Sequence, residues 1–240
     1  MELSSDTSLI NWFSLGDFYF ESGDYRKAVI NYETRFDHVE NYFKEDPFAP
    51  TEIIEKNKAE YYQGIGNIYN AWGRHQNALM NYTSALKIYE SYGDSSSISD
   101  IISEMGDIFL ELGVDEKARA SYERALRINQ ELGRRYLLAH SFKDLGEYYL
   151  AVDSTIMAMN YLDSALEVYK ETASFHDIQG TLYSLGKANA KLGNYVVAEN
   201  YFTEYIKYAE EWNYKPRLAS GRSSLADIFR QRREYPEAIE

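Results

Sequence analysis

Residues 64–90 read GIGNIYNAWGRHQNALMNYTSALKIYE. Two apolar stripes run through this stretch and its upstream flank. Around Gly66, Tyr62, Ile65 and Tyr69 stand at offsets −4, −1 and +3, the spacing of one helix face. Ala78, Tyr82 and Ala85 stand at +12, +16 and +19, which places a second stripe on a second helix. Between them lies AWGRH, whose Gly73 suits the left-handed residue that closes a helix. The stretch therefore reads as a helix–turn–helix hairpin.

The same hairpin recurs along the 240 residues. Anchor glycines stand at Gly16, Gly66, Gly106, Gly146 and Gly186, and Ala226 takes the next place, so the spacing is 50 once and 40 thereafter. Twelve residues after each anchor there is an alanine: Ala28, Ala78, Ala118, Ala158, Ala198 and Ala238. Sixteen after come Tyr32, Tyr82, Tyr122, Leu162 and Phe202. Gly23, Gly113 and Gly193 repeat the turn glycine. A glycine inside a helix costs about 1 kcal/mol relative to alanine. Five on a fixed period imply close approach of the paired helices, and the alanine at +12 is expected to meet that contact. Most tyrosines fall on these packing offsets, so burial in the core accounts for them.

SLGDFYFESGDYRKAVINYE at 14–33, the stretch quoted above, and KDLGEYYLAVDSTIMAMNYLDSALEVY at 143–169 resemble the tetratricopeptide repeat, and the resemblance runs over about 8–240. Other helical-hairpin solenoids share the architecture. The common unit has about 34 residues; the six extra residues here lengthen the helices by about 9 Å in total. Long units of this kind are similar to those of kinesin light chains, Pins-type polarity adaptors and bacterial regulators that sense peptides or pass signals. The resemblance implies an all-α, right-handed superhelical solenoid of antiparallel helix hairpins. It implies one array over 1–240, with repeats near 8–44, 51–92, 96–132, 135–172, 175–213 and 216–240, the last truncated.

The rhythm breaks once, at an insertion over 45–56, EDPFAPTEIIEK. Pro47 is expected to end the preceding helix and Thr51 to cap the next. The insertion reads either as a tolerated loop or as a flap that uses Phe48. At 240 the chain stops inside a second helix. A longer parent protein, or self-association through the open end, is therefore expected.

Composition excludes much. The chain has no cysteine, hence no disulfide, thiol nucleophile or Cys-ligated metal. Its net charge of −13 disfavours nucleic-acid binding. No apolar run approaches the ~20 residues of a membrane span, so no membrane insertion is expected. No phosphate-loop, zinc-protease or serine-hydrolase motif occurs, and His38, His75, His140 and His176 lack metal-ligand spacing. The expectation is a non-enzyme without metal or cofactor. The start shows no leader, and compartment stays open between cytoplasm and, had a leader been removed, periplasm.

In the family, the first helix of each repeat lines a concave face. Carried over, the groove residues are Phe13, Asp17 and Glu21; Gln63, Asn67 and Asn70; Ser103, Asp107 and Glu111; Lys143 and Glu147; Tyr183, Lys187 and Lys191; and Arg230. The resemblance thus implies a protein or peptide partner. Residues 1–120 hold 10 basic and 21 acidic residues, whereas 121–240 hold 15 and 17. Such a groove suits a peptide with basic residues toward the first three repeats and acidic ones toward the later two. The clamp that reads acidic chaperone tails is not expected, because Phe13 and Asp17 stand where it uses lysine and asparagine, and Gln63, Asn67 and Gly64 bring no compensating charge. Two readings of function result: a peptide-binding scaffold, or the sensory module of a multidomain bacterial signalling protein such as a histidine kinase, nucleotide cyclase or transcription regulator.

Overall fold

The computed structural model describes residues 15–45 and 50–232. Among these there are eleven helices and no strand. Helix α1 covers 15–21. It is followed by α2 (Tyr25–Glu45), α3 (Thr51–Ala71), α4 (His75–Tyr92), α5 (Ser95–Glu111) and α6 (Asp115–Leu132). Then come α7 (Arg135–Ala151), α8 (Thr155–Glu171), α9 (Phe175–Lys191), α10 (Tyr195–Glu211) and α11 (Lys215–Gln231). Phe13, the Pro47–Phe48 part of the insertion and the segment after 232 lie outside the described residues.

The chain divides into two compact units, Met1–Leu112 and Gly113–Glu240, so the division falls inside the third repeat. In each unit, consecutive helices pack as neighbours, α2 on α3, α3 on α4 and α4 on α5 in the first, and α6 through α11 in sequence in the second.

The stripes of first and second helices together form the core. Ala28, Ala78, Ala118, Ala158 and Ala198 are fully buried, as are Ala85, Ala125 and Ala165 about two turns further on. In the first unit Ala28, Val29, Ile65 and Ile68 form a cluster with Tyr19, Tyr32 and Tyr69 packed against it. In the second, Leu162, Tyr169, Leu182, Leu185 and Tyr205 belong to one cluster, and Ala198, Phe202 and Ile228 form another.

The helical glycines face the side chain at +16 first; of Gly66, Gly146 and Gly186, only Gly146 has the alanine at +12, expected to meet the contact, among its nearest neighbours, through the Ala158 carbonyl at 3.2 Å. A Cβ on Gly66 would lie 2.6 Å from Tyr82, one on Gly186 2.6 Å from Phe202, and one on Gly146 2.6 Å from Leu162. A bulky residue at +16 needs the missing side chain; the alanine at +12 is small because it is wholly enclosed.

Helix ends follow one device. Gly23, Gly73, Gly113 and Gly193 take positive φ within hairpins, and Gly93 and Gly133 do so between them. At Gly73 the next residue, Arg74, donates its N–H to the Tyr69 carbonyl at 2.8 Å, a wrap that satisfies a terminal carbonyl. Asp153, Ala173 and Asn213 hold the corresponding places without glycine, also at positive φ. At the start of α3 the cap is Pro50, whose carbonyl accepts from Ile53 at 3.0 Å, and Thr51 is the first helical residue instead of the cap.

Candidate functional site

In the second unit the first helices α7, α9 and α11 surround one open crevice of about 640 Å³. It gathers Lys143 and Glu147 from α7 with Tyr183, Lys187 and Lys191 from α9, all expected from sequence. Their positions follow from the helix period: the faces opposite the buried stripe turn outward from each hairpin.

The electrostatics are mixed with a cationic excess, since Lys143, Lys187, Lys191 and Arg217 oppose Glu147 and Asp177. Lys143 pairs with Glu147 at 3.2 Å, and the Ser184 hydroxyl donates to the same carboxylate at 3.2 Å. Lys191 pairs with Asp153 and donates to the Leu150 carbonyl at 3.3 Å. Lys187 lies over the Tyr183 ring, 5.5 Å from its centroid.

His176, Asp177, Ser184 and Arg217 also line the crevice and were not expected from sequence. Asp177 and Arg217 both stand nine residues before an anchor. Extending the outward stripe from −3 and −6 by one more step would have found them. Asp177 is built in: it accepts from the Tyr136 hydroxyl at 3.0 Å and from the Ser174 hydroxyl. Burial raises its carboxyl, but these two donors, with His140 and His176 nearby, outweigh burial and hold it below the usual value. His140 sits 4.0 Å from Asp177 and edge-on to Tyr136 and Tyr169. Burial keeps its imidazole below the ordinary 6.5, against the upward pull of Asp177.

The first unit has a second crevice, of about 550 Å³, which brings Asn67, Asn70 and Glu111 together with Phe20, His75 and Glu104. Burial and the neighbouring Asp107 push the Glu104 carboxyl above its usual value, against the Tyr82 hydroxyl, which lowers it. His75 lies 3.4 Å from Glu111.

Other expected groove residues are engaged within their own hairpins. Asp17 accepts from Tyr32 at 2.5 Å and Gln63 from Tyr89 at 3.1 Å. Neither lines the first-unit crevice, and Glu21, Ser103 and Asp107 are not among its lining either. Arg230 pairs with Asp227 on its own helix, apart from the second-unit crevice. Among the described residues no group of three or more His, Asp or Glu side chains is placed to hold a metal ion, and no helix is long and apolar enough to cross a membrane.

A forty-residue helical hairpin, with a glycine seat for a bulky residue and an enclosed alanine, defines an all-α hairpin-repeat protein. Models of the tetratricopeptide repeat match 97–171 and, separately, 11–34 and 59–92, more than half of the chain. The chain belongs to the tetratricopeptide repeat family. A search of curated proteins finds no match.

Solved structures with the same fold include a Rap protein in complex with competence and sporulation factor, at 18% identity and TM-score 0.77 over 99% of this chain and 74% of that one. A second is the Rap conjugation gene regulator of plasmid pLS20 with the Phr* peptide, at 21% identity and TM-score 0.75 over 92% of this chain and 60% of that one. A third is a signal-transduction ATPase with a tetratricopeptide repeat sensor from Pyrococcus horikoshii, at 21% identity and TM-score 0.72. This chain aligns over 98% of its own length with 36% of that ATPase.

Proposed function

We propose that the chain is a non-catalytic peptide-binding scaffold and that its second unit holds an acidic stretch of the peptide. The observation that carries this reading is the crevice on α7, α9 and α11, where four cationic side chains from three repeats meet two carboxylates around one opening. Aligned cations favour a ligand of opposite charge and set its register. The complex of one fold neighbour with the Phr* peptide supports the class of ligand. In the first unit, Glu104 and Glu111 line a crevice whose chemistry suits a basic side chain of the ligand.

The test is fluorescence anisotropy with fluorescein-labelled octapeptides that are acidic, basic or neutral. The acidic peptide binds best, and Lys187→Glu combined with Lys191→Glu weakens it by about tenfold or more, equivalent to about 1.4 kcal/mol. Equal affinity for all three peptides, or no effect of the double change, overturns the reading.

A second reading, a sensory module in a multidomain signalling protein, is favoured by the alignment with the Pyrococcus horikoshii ATPase sensor. Sequencing the gene on either side of this segment decides between this and a free-standing scaffold.

A further inference from the structure

Beside the cationic crevice of the second unit lies another cavity, also of about 640 Å³. Its walls are Phe175, Trp212 and Tyr214, with Ser174 and Gln179 between them. The two cavities share His176 and Arg217. The aromatic side chains are 48%, 67% and 50% exposed. Single exposed aromatics are common; three on one wall form a patch.

The patch is built on helix ends. Phe175 opens α9, Trp212 closes α10 and Tyr214 caps α11. Phe175 leans on Trp212 with ring centroids 6.1 Å apart, and on Tyr208 at 6.2 Å. Arg217 is fixed as the partition: its guanidinium donates to Gln179, lies 2.7 Å from His176 Nε2, and stands 5.2 Å from the Tyr214 ring centroid.

We infer that this aromatic cavity is a second subsite for the same peptide, and that it takes an aromatic side chain lying a few residues from the acidic stretch. The inference rests on the acidic-peptide reading of the crevice. Three aromatic surfaces offer stacking and apolar contact to a ring. The adjacent guanidinium repels a lysine or arginine side chain there, and the exposed aromatic walls favour a ring over a carboxylate. Because the two cavities share the His176 and Arg217 side chains as a common wall, an extended chain advancing about 3.3 Å per residue spans them in a few residues. The ligand is therefore an acidic–aromatic segment, read by charge on one side of Arg217 and by stacking on the other.

The test uses the full chain and labelled octapeptides with two adjacent glutamates, followed at one to five residues by phenylalanine or by alanine. One phenylalanine spacing binds about five- to tenfold tighter than its alanine counterpart. Trp212→Ala removes that advantage and leaves the alanine peptide unchanged; circular dichroism confirms helicity, and Tyr214→Ala serves as a second variant. If the acidic peptides bind but no phenylalanine spacing gains, or if Trp212→Ala leaves the gain intact, the second subsite is wrong while the crevice reading stands. If no acidic peptide binds, both fall. Sedimentation provides the remaining arm: a dimer that Trp212→Ala dissolves assigns the patch to a second copy of the chain and overturns the inference.

Discussion

Gly180 and Gly186 lie on the same helix, α9, and alanine at each separates packing from helix propensity. At Gly186 a new methyl would meet Phe202 ring carbons at 2.6 and 2.9 Å. Ordinary carbon contacts lie near 3.5–4.0 Å, so the ring must yield by about 1 Å. Phe202 is almost fully buried and packs on Tyr183, with centroids 5.7 Å apart, so it has little room to move. Overpacking of this kind costs about 1–3 kcal/mol. At Gly180 the methyl would meet only the flexible Lys143 side chain, at 3.7 Å, which is ordinary contact. Both changes gain up to about 1 kcal/mol of helix propensity. Gly180→Ala therefore stabilises, Gly186→Ala is neutral to destabilising by about 2 kcal/mol, and the difference of about 1–3 kcal/mol is the packing term alone. Urea unfolding followed at 222 nm measures both, with midpoints compared at unchanged slope. Equal shifts for the two variants would refute the glycine seat.

Ala173 holds φ at 52° where Gly93 and Gly133 stand in earlier repeats. Left-handed alanine is strained, while glycine is freer in the unfolded chain; Ala173→Gly therefore stabilises by about 1 kcal/mol or less, raising the melting temperature by up to a few degrees. Stability also falls with acid. Burial holds His140 below 6.5 in the folded chain, so its contribution is complete above the unfolded value and is lost as pH falls through the lowered folded value. Asp177 acts in the same direction at lower pH, its contribution being lost as pH falls through its lowered folded value. Melting temperatures from pH 7.5 to 5.5 should drop, and His140→Phe should flatten that drop; an NMR titration of His140 at or above 6.5 would contradict it.

The fold was legible because each repeat states it again. The stripe at −4, −1 and +3, the enclosed alanine at +12 and the turn glycine each depend on a few local contacts, so one helical period exposes them. The αL residues at 153, 173 and 213 were harder to see. Asp, Ala and Asn occupy these turns, and only the forty-residue register marks them as equivalents of glycine. The crevice was half legible. Lys143, Glu147, Tyr183, Lys187 and Lys191 follow from the outward stripe, and Asp177 and Arg217 from its extension to −9, whereas His176 and Ser184 stand off that stripe. Those two face the crevice only because first helices of successive repeats lie side by side, which the period within one helix does not encode.

The residue just after the anchor glycine shows why the expected groove residues divide as they do. In the first two repeats the position at +16 is tyrosine, and its hydroxyl donates across the hairpin to Asp17 at 2.5 Å and to Asn67 at 2.8 Å. Those polar groups already serve the hairpin. A ligand that recruited them would leave a tyrosine hydroxyl to find another partner, at the cost of an unmet hydrogen bond. In the fourth and fifth repeats +16 is Leu162 or Phe202, which have no hydroxyl. Glu147 and Lys187 therefore face no tyrosine hydroxyl across the hairpin, and their partners line the crevice: Lys143 of the same helix and Ser184 of the next repeat for the first, and the Tyr183 ring of the same helix for the second. Loss of the hydroxyl at +16 thus leaves the +1 side chain facing the crevice without a bond to the second helix. It does so on α7 and α9, in the unit where the cationic crevice and the aromatic cavity share a wall, which is where the proposed ligand is placed.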